Sequence, residues 1–315
     1  MKTSRYFIFG KFDVKLHVLS VLPEEDPIAV VVMLHGMGEH KERYLEYAKW
    51  MAAKGYAVFV HDHRKHGQSI DEEKEEKEEK VGIFGSEDKW EYVIDDVHFV
   101  VKDARKKVPG KEIVILGHSM GSIIARRYIS KYSQVPKAVI LSGTLPIIKF
   151  SDVFLPINLA RVCNIFRKNT PSTLISNALN KPLNAGYEEP RTPFEWLSKD
   201  EKVVDAYIAD PLCGYAYNAR FYIEFLKGIK KANTSDNISD TRNIPILFIA
   251  GKDDPVGEFG DGVEDVYKIY MGHGFFEVRL MLLPGNRHEI LNEPERLETY
   301  QTIEEWLKQA LGIYE

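Results

Sequence analysis

Ser119 occupies a pattern that is typical of a nucleophilic serine. The residues Gly-His-Ser-Met-Gly at 117–121 follow an apolar run at 112–116 and precede a helix-like segment at 122–132. A serine on such a tight strand-to-helix turn presents its hydroxyl above the end of the strand, and small flanking residues leave room for the adjoining strand and helix. The alternative is a glycine-rich turn with an inert serine. The flanking strand and helix favour a nucleophile for acyl transfer.

Two backbone N–H groups are candidates for binding the oxyanion that such an attack creates. Met120 follows the serine at the start of a predicted helix, where free N–H groups and partial positive charge are available. A second donor is expected in a loop after an earlier strand. The sequence HGMG at 35–38 follows the apolar run VVVML, and we therefore predict the N–H of Met37 as this donor. A turn that merely needs glycine is the alternative.

The base and the acid of such a site are expected in the last part of the chain, in the order serine, acid, histidine. The histidines after the apolar run at 244–251 are His273 and His288. His288 follows another strand-like run and could reach the same sheet edge as the serine, whereas His273 falls at a helix end. We therefore predict His288 as the base. Asp253 and Asp254 both follow the run at 244–251, and these residues alone leave the choice of acid open.

The elements that must position these residues are apolar runs alternating with amphipathic segments. Strands are predicted at 28–36, 56–62, 112–121, 138–143, 244–251 and 277–285. Helices are predicted at 44–54, 89–107 and 122–132. This alternation indicates parallel βαβ units around a central sheet. The opening segment at 7–21 alternates apolar and polar residues around Gly10, which predicts an antiparallel hairpin at the edge of the sheet.

The alternation is interrupted between 146 and 243, where the sequence contains helix-like stretches but no convincing buried strand. We therefore predict an α/β core formed by residues 1–145 and 244–315, with a helical cap inserted at 146–243. The apolar segment at 150–166 lies in this cap and would be costly to expose. Packing against the core is the favoured interpretation, and contact with a substrate or transient contact with a membrane surface are the alternatives.

The composition restricts the classes of partner. The 315 residues carry a net charge of −5, which offers no basic face to nucleic acid, so small molecules or lipids are the expected partners. Asp13 and Lys15 interrupt the N-terminal apolar stretch before it reaches signal-peptide length, and we expect a cytoplasmic protein. Cys163 and Cys213 are fifty positions apart, so packing roles are expected rather than a disulfide or a zinc site.

With these residues identified, the sequence resembles the monoacylglycerol lipase and lysophospholipase-like branch of the α/β-hydrolases. The likeness is carried by HGMGEHKERY at 35–44, HDHRKHGQS at 61–69, GHSMGS at 117–122, and GKDDPVG with NRHEILNE near the C-terminus. These segments span the core from about residue 5 to 312. The resemblance implies the α/β-hydrolase fold, with a mostly parallel central sheet flanked by helices and an inserted helical cap.

The resemblance also implies site residues. The family's acid is the aspartate immediately before the Pro-Val step, which implies Asp254, and the histidine of the HE segment implies His288. It implies the N–H groups of Met37 and Met120 as oxyanion donors. The sequence departs from the family in having Ser122 where members often have glycine. It also has a longer, highly charged segment at 71–80, for which we predict a solvated helix or loop without chemistry.

Four histidines outside this set need separate interpretations. His61, His63 and His66 cluster closely enough to suggest a metal site, but their pattern resembles a structural loop of the family and no second ligand group is apparent. We therefore predict a structural role for them, and neither a metal nor another cofactor. His40 is expected at the surface.

The expected reaction is hydrolysis of a carboxylic ester with a fatty-acyl chain, a monoacylglycerol or a lysophospholipid, through an acyl-enzyme. A short-chain or aromatic carboxylesterase would use the same residues with a smaller pocket. A non-catalytic binding protein of the same fold is the third hypothesis. The presence of Ser119, Asp254 and His288 together argues against it.

Overall fold

The apolar runs form one eight-stranded sheet in the computed structural model. The structure describes residues 1–70, 81–147, 170–184, 186–187 and 189–313, with Asn158, Ala160, Val162 and Ile165. The strands are β1 (Lys2–Phe9), β2 (Lys15–Leu22), β3 (Val30–Leu34), β4 (Ala57–His61), β5 (Ile113–His118), β6 (Pro136–Ser142), β7 (Ile246–Gly251) and β8 (Val278–Leu283).

The order of the strands in the sheet is β1-β2-β4-β3-β5-β6-β7-β8. β1 pairs antiparallel with β2, and β2 pairs antiparallel with β4, whereas all the later pairings are parallel. The predicted hairpin therefore lies at one edge of a mostly parallel sheet, as expected from its alternating pattern. The predicted fold class, an α/β-hydrolase fold, is confirmed.

Helices cover both faces of the sheet. Those in the described part of the chain are α1 (Leu45–Ala53), α2 (Trp90–Lys107), α3 (Met120–Lys131), α4 (Thr173–Asn180), α5 (Glu201–Ala209), α6 (Ala219–Ala232), α7 (Ser235–Ser239), α8 (Asp261–Gly272) and α9 (Arg296–Leu311). One face buries α2, α3, α6 and α8, and the other buries α1 and α9. Because β3 to β7 are covered on both sides, their sequences are continuously apolar rather than alternating.

The chain between β6 and β7 is helical where the structure describes it. It contributes α4, α5, α6 and α7, and its one isolated bridge joins Pro171 to Asn218. β6 and β7 are themselves neighbours in the sheet, so this segment leaves the sheet and returns beside its point of departure. The division at 146 and 243 stays a prediction. The segment at 71–80, Cys163 and most of 150–166 lie outside the described residues, whereas Cys213 is buried.

None of the described helices combines the length and the apolar composition that crossing a membrane requires.

The first turn of α3 packs directly on the end of β3. A Cβ atom on Gly121 would lie 2.0 Å from the carbonyl oxygen of Leu34, the last residue of β3. A Cβ atom on Gly117 would lie 2.3 Å from the carbonyl oxygen of Gly121. Both contacts are with backbone, which cannot rotate away. The two glycines of the Gly-x-Ser-x-Gly pattern are therefore required by the contact between β3, β5 and α3.

We expect Gly121→Ala to lower the free energy of unfolding by about 1–3 kcal/mol, because the methyl group must push α3 away from β3. Thermal or denaturant unfolding would measure the loss. Gly272→Ala, at the end of α8, is the control, because a Cβ atom on Gly272 would meet no heavy atom of the surrounding structure within 4 Å. The stability of this variant should be unchanged or slightly increased. Equal stability of Gly121→Ala and the unsubstituted protein would contradict the proposed close contact.

Candidate active site

Ser119 lies on the strained turn between β5 and α3. Its backbone angles are φ 52° and ψ −118°, a conformation that a non-glycine residue rarely adopts. Its N–H donates to the carbonyl of Ser142 at the end of β6, over 2.9 Å. The turn is thus fixed between two neighbouring strands, and the side chain starts at the carboxyl edge of the sheet. Ser122, three residues later, is buried, and its Oγ hydrogen can be donated to the carbonyl of Ser119, 2.6 Å away, or to the hydroxyl of Thr144 after β6, 2.7 Å away.

His288 and Asp254 come from the loops after β8 and β7 and meet above the sheet edge. The Nδ1 atom of His288 lies 2.8 Å from Oδ2 of Asp254, and both side chains are buried. The other carboxylate oxygen of Asp254 accepts the N–H of Val256 over 2.8 Å. Asp253 is exposed, and its own N–H donates to the carbonyl of Asn286. Of the two adjacent aspartates, Asp254 is therefore the one beside the histidine.

His273, the other histidine in this part of the chain, lies elsewhere. It is exposed at the end of α8, where its ring nitrogens contact the carbonyl of Ile269 at 2.8 Å and Oγ of Ser235 at 3.0 Å. This is a helix-capping position.

The surroundings of His288 favour its protonated form. Burial disfavours the imidazolium, but the charge of Asp254, its hydrogen bond and the charges of Glu289 and Glu39 outweigh burial and raise the pKa of His288. The ring packs against His118, with centroids 4.7 Å apart, and against Trp196 at 5.2 Å. Burial and the neighbouring His288 lower the pKa of His118 to about 3, so this second imidazole remains neutral.

Ser119 and His288 line the same cavity, which has a volume of about 320 Å³. Because Nδ1 of His288 is bound to Asp254, its Nε2 atom is the one available to the serine. Most of the lining is apolar. Apolar side chains that contribute to it include Leu145, Ile175, Leu179, Leu183, Phe225 and Leu226. The arrangement places Ser119 and His288 at the wall of a largely apolar chamber.

The turn after β3 lies beside the serine and is held on both sides of Met37. The N–H of Gly36 donates to Oε1 of Glu39 over 2.5 Å, and the N–H of Gly38 donates to the hydroxyl of Tyr217 over 2.5 Å. The carbonyl of Gly38 accepts the N–H of Gly214 over 2.9 Å. Met37 and Met120 both line the cavity. Both residues predicted to supply oxyanion donors therefore lie at the wall of the cavity that contains Ser119.

The buried histidines support this turn as neutral rings. His35 accepts the N–H of His63 at Nε2 over 3.0 Å and so donates from Nδ1 to the carbonyl of Gly36, 2.7 Å away. His66 accepts the hydroxyl hydrogen of Tyr217 at Nε2 over 2.9 Å. Burial lowers the pKa of His66 to about 4 and that of His35 well below its usual value. For His63 and His66, these contacts agree with the predicted structural role.

Asp62 fixes the neighbouring loop. Its carboxylate accepts the backbone N–H and the ammonium of Lys41, at 2.8 and 2.7 Å, and the N–H of Gln68 at 2.9 Å. A buried carboxylate with this many donors is satisfied within the protein.

The prediction that His40 lies at the surface is wrong. His40 is buried, and its Nε2 atom lies 2.8 Å from Oδ2 of Asp210, which follows α5. His40, Asp210 and Cys213 are also the described residues whose ligand atoms, within 4.8 Å of one another, could share a metal ion. The hydrogen bond to His40 and the N–H of Leu212 already satisfy the carboxylate of Asp210. The group therefore has an explanation without an ion, as a contact between the core and α5.

Three charged residues beside the site had no role in the interpretation of the sequence. Arg43 lies between Glu39 and Glu289, and both glutamates line the cavity. Local sequence offered one signal: each glutamate sits inside a segment that carries the family resemblance, Glu39 in HGMGEH and Glu289 directly after His288. Their pairing through one arginine was not visible, since the two are 250 positions apart.

Proteins similar to this chain include lipases and esterases. A monoacylglycerol lipase of Mycolicibacterium smegmatis is 28% identical over 285 residues, which cover 90% of this chain and 90% of the relative. The human monoglyceride lipase is 26% identical over 241 residues, which cover 74% of this chain and 67% of the relative. The crystal structure of a highly thermostable carboxyl esterase from Bacillus coagulans matches with a TM-score of 0.88 and 25% identity, covering 99% of both chains.

A family model also matches most of the sequence. The model is described as serine aminopeptidase, S33 (Hydrolase_4), and it matches residues 25–295. The matched range includes the turn after β3, the serine turn and the loop of His288. The resemblance inferred from the sequence motifs is confirmed at the level of the family. This chain belongs to the serine aminopeptidase S33 (Hydrolase_4) family of α/β-hydrolases.

Proposed function

We propose that this protein hydrolyses carboxylic esters of fatty acids through an acyl-enzyme on Ser119, with a monoacylglycerol or a lysophospholipid as substrate. The observation that carries the proposal is the largely apolar cavity that Ser119 shares with His288, whose other nitrogen is bound to Asp254. The similarity to monoacylglycerol lipases along 90% of the chain supports it.

In the proposed mechanism, the hydroxyl oxygen of Ser119 attacks the ester carbonyl while Nε2 of His288 takes its proton. Asp254 holds the imidazole in the required tautomer and stabilises the imidazolium. The tetrahedral intermediate then expels the alcohol, which receives the proton from His288. Water repeats the sequence on the acyl-enzyme and releases the fatty acid, which regenerates the serine.

The N–H groups of Met37 and Met120 would bind the oxyanion of both intermediates. A donor of this kind is worth roughly 3 kcal/mol in comparable sites, because it is already aimed at the developing charge. Met120 is the first residue of α3, where the N–H groups of the first turn lack partners within the helix. Met37 depends on the hydrogen bonds that Gly36 and Gly38 make on either side of it.

The apolar lining supports a fatty-acyl substrate over a small acid. Leu145, Ile175 and Phe225 surround the chamber, and their contacts with an acyl chain would contribute about 0.8 kcal/mol for each methylene removed from water. A carboxylesterase of short-chain or aromatic esters is the second candidate, and the fold similarity to the Bacillus coagulans carboxyl esterase favours testing it. Both candidates use the same mechanism and differ in acyl-chain preference.

We expect the purified protein to hydrolyse monooleoylglycerol or lysophosphatidylcholine faster than p-nitrophenyl acetate, relative to the spontaneous rate of each. Ser119→Ala should lower kcat by at least about 10³-fold, because the acyl-enzyme can no longer form. Release of fatty acid and of nitrophenol would measure the rates, and a fluorophosphonate probe would report the nucleophile. Ser122→Ala, which alters a buried serine of the same turn, is the matched control and should keep the label.

The outcomes separate the hypotheses. Serine-dependent hydrolysis of the short ester alone would replace the lipase proposal with a carboxylesterase. Cleavage of an aminoacyl anilide in preference to every ester would indicate a peptidase, in line with the description of the family. A native protein without turnover and without fluorophosphonate labelling would leave a non-catalytic binding protein.

The raised pKa of His288 predicts the pH dependence of the reaction. His288 accepts the proton of Ser119 only when it is neutral, so kcat/KM should fall as the pH drops through its pKa. Because Asp254 and the nearby glutamates raise this pKa above about 6.5, the midpoint of the acid limb should lie above pH 6.5. Asp254→Asn should move the midpoint to lower pH and reduce kcat by up to about 10⁴-fold.

Profiles of kcat/KM against pH with an aryl ester would test this expectation. Asp253→Asn is the matched control, because Asp253 is exposed and its carboxylate does not contact His288, so its profile should equal that of the native protein. An acid limb that is the same in Asp254→Asn and the native protein would exclude the proposed acid.

We also propose that the cap makes transient contact with a membrane surface. Val162, Ile165 and Leu174 are all more than half exposed, although each is apolar. We expect Leu174→Glu to weaken co-sedimentation with phosphatidylcholine vesicles about tenfold, since transfer of a leucine from water contributes about 1.5 kcal/mol or more. Phe276→Glu, at an apolar residue before β8 that is more exposed still, should bind as the native protein does. Equal effects of both substitutions would contradict a contact specific to the cap.

A further inference from the structure

Arg43, Glu39 and Glu289 form a buried ion group directly beside the candidate active site. The guanidinium of Arg43 binds both carboxylate oxygens of Glu289, with two N···O distances of 2.6 Å. The same guanidinium binds Oε2 of Glu39 at 2.8 Å. The exposed fractions of the three side chains are 12% for Arg43 and 4% for each glutamate. We call these three residues the arginine bridge.

Each glutamate belongs to one of two loops, and the proposed reaction requires a fixed relative position of these loops. Glu39 lies in the turn after β3, and its second oxygen accepts the N–H of Gly36, the residue before Met37. Glu289 follows His288 directly, and its N–H donates to the carbonyl of Leu197 over 2.8 Å. The arginine bridge therefore links the turn of one proposed oxyanion donor to the loop of the proposed base.

We propose that Arg43, Glu39 and Glu289 are positioning residues. They fix the position of the N–H of Met37 relative to the ring of His288, on either side of the place where the oxyanion would form. This proposal rests on the function proposed above. Bidentate arginine–carboxylate contacts restrict orientation as well as distance, so one guanidinium with two carboxylates is a rigid connection. The hydroxyl of Tyr44, which donates to Oε1 of Glu39 over 2.8 Å, completes the set of donors around that carboxylate.

The charge of the bridge also acts on the base. The charges that act on His288 are those of Asp254, Glu289 and Glu39, and the ring of His118 packs against it. Arg43 is bound to both glutamates. With both carboxylates ionised, the bridge carries a net charge of −1, which favours the imidazolium. Substitution of Glu289 or Glu39 by glutamine removes the excess negative charge and keeps the shape of the side chain. The pKa of His288 should then fall, and more for Glu289, whose effect on His288 exceeds that of Glu39.

The arginine bridge is not needed to explain the local folding of either loop. The turn after β3 is also held by Tyr217 and by Gly214 from the cap side, and the loop of His288 is also held by Asp254. Burying three charges is costly unless their geometry is good, and apolar residues could fill the same volume. The feature that apolar residues would not provide is a fixed, charged link between the two loops.

The test compares Glu289→Gln, Glu39→Gln and the double variant with the native protein in the full chain. We expect each single substitution to lower kcat for an aryl ester about 10- to 100-fold, with KM changed less than threefold, since the oxyanion contact forms only in the transition state. The double variant should lose less than the product of the single losses, because both glutamates act through Arg43.

A second readout separates positioning from a general structural role. The titration of the His288 imidazole, followed by NMR through its Nδ1 proton, should move to lower pH in Glu289→Gln and by a smaller amount in Glu39→Gln. Arg43→Lys keeps the charge but loses the bidentate geometry. It should lower kcat while leaving this titration where it is in the native protein. The NMR titration needs no substrate, so it tests the bridge even if no ester is hydrolysed.

Glu91→Gln is the matched control. Glu91 on α2 makes a bidentate contact with Arg127 on α3, at 2.8 and 3.1 Å, and neither residue lines the cavity. Its kcat should stay within twofold of the native value, and the His288 titration should not move. The proposal is overturned if folded Glu289→Gln and Glu39→Gln keep kcat within twofold and the native titration, or if Glu91→Gln causes the same losses. If the native protein hydrolyses no ester at all, the proposed function is rejected instead.

Discussion

The path of the backbone through Ser119 is the constraint on which the candidate site depends. Ser119 has a positive φ, and such a conformation costs a non-glycine residue about 1–3 kcal/mol, so the surrounding packing must hold it in place. Gly117 and Gly121 supply the space, because a side chain on either residue would collide with backbone. The same contact presses the start of α3 against the end of β3. This packing contact therefore joins the two elements that carry the proposed oxyanion donors, Met37 after β3 and Met120 at the start of α3.

The electrostatics of the site follow from its burial. In an apolar surrounding an ionised group is stable only when it is paired, and an unpaired base loses its proton. His288 lies beside Asp254 and has a raised pKa, whereas His118, whose ring packs against that of His288, has a pKa of about 3. The remaining charges on the described part of the cavity wall, Glu39 and Glu289, share Arg43. In the proposed reaction, this distribution of charge leaves His288 as the imidazole that transfers the proton beside an apolar substrate.

Much of the architecture was predictable because buried parallel strands leave a direct pattern in the sequence. The continuous apolar runs correspond to β3, β5 and β7, and the helix predicted at 89–107 is found as Trp90–Lys107. The interpretation failed at His40, which local sequence placed at the surface. Its partner, Asp210, is 170 positions away and follows a helix of the segment between β6 and β7. Burial of a polar residue by a distant element has no periodicity that the sequence could reveal.

The sequence by itself determined the turn of Ser119 and the candidate residues. The steric need for Gly117 and Gly121 is a property of neighbouring residues, and the order of serine, acid and histidine is a property of the chain. Only the tertiary structure decided which side chains meet. It turns Asp254 towards His288 and leaves its neighbour Asp253 in solvent, and it brings Arg43 to Glu289 across 246 positions. The physical reason is that these contacts depend on the sheet order and on side-chain direction at loop ends, which nearby residues do not encode.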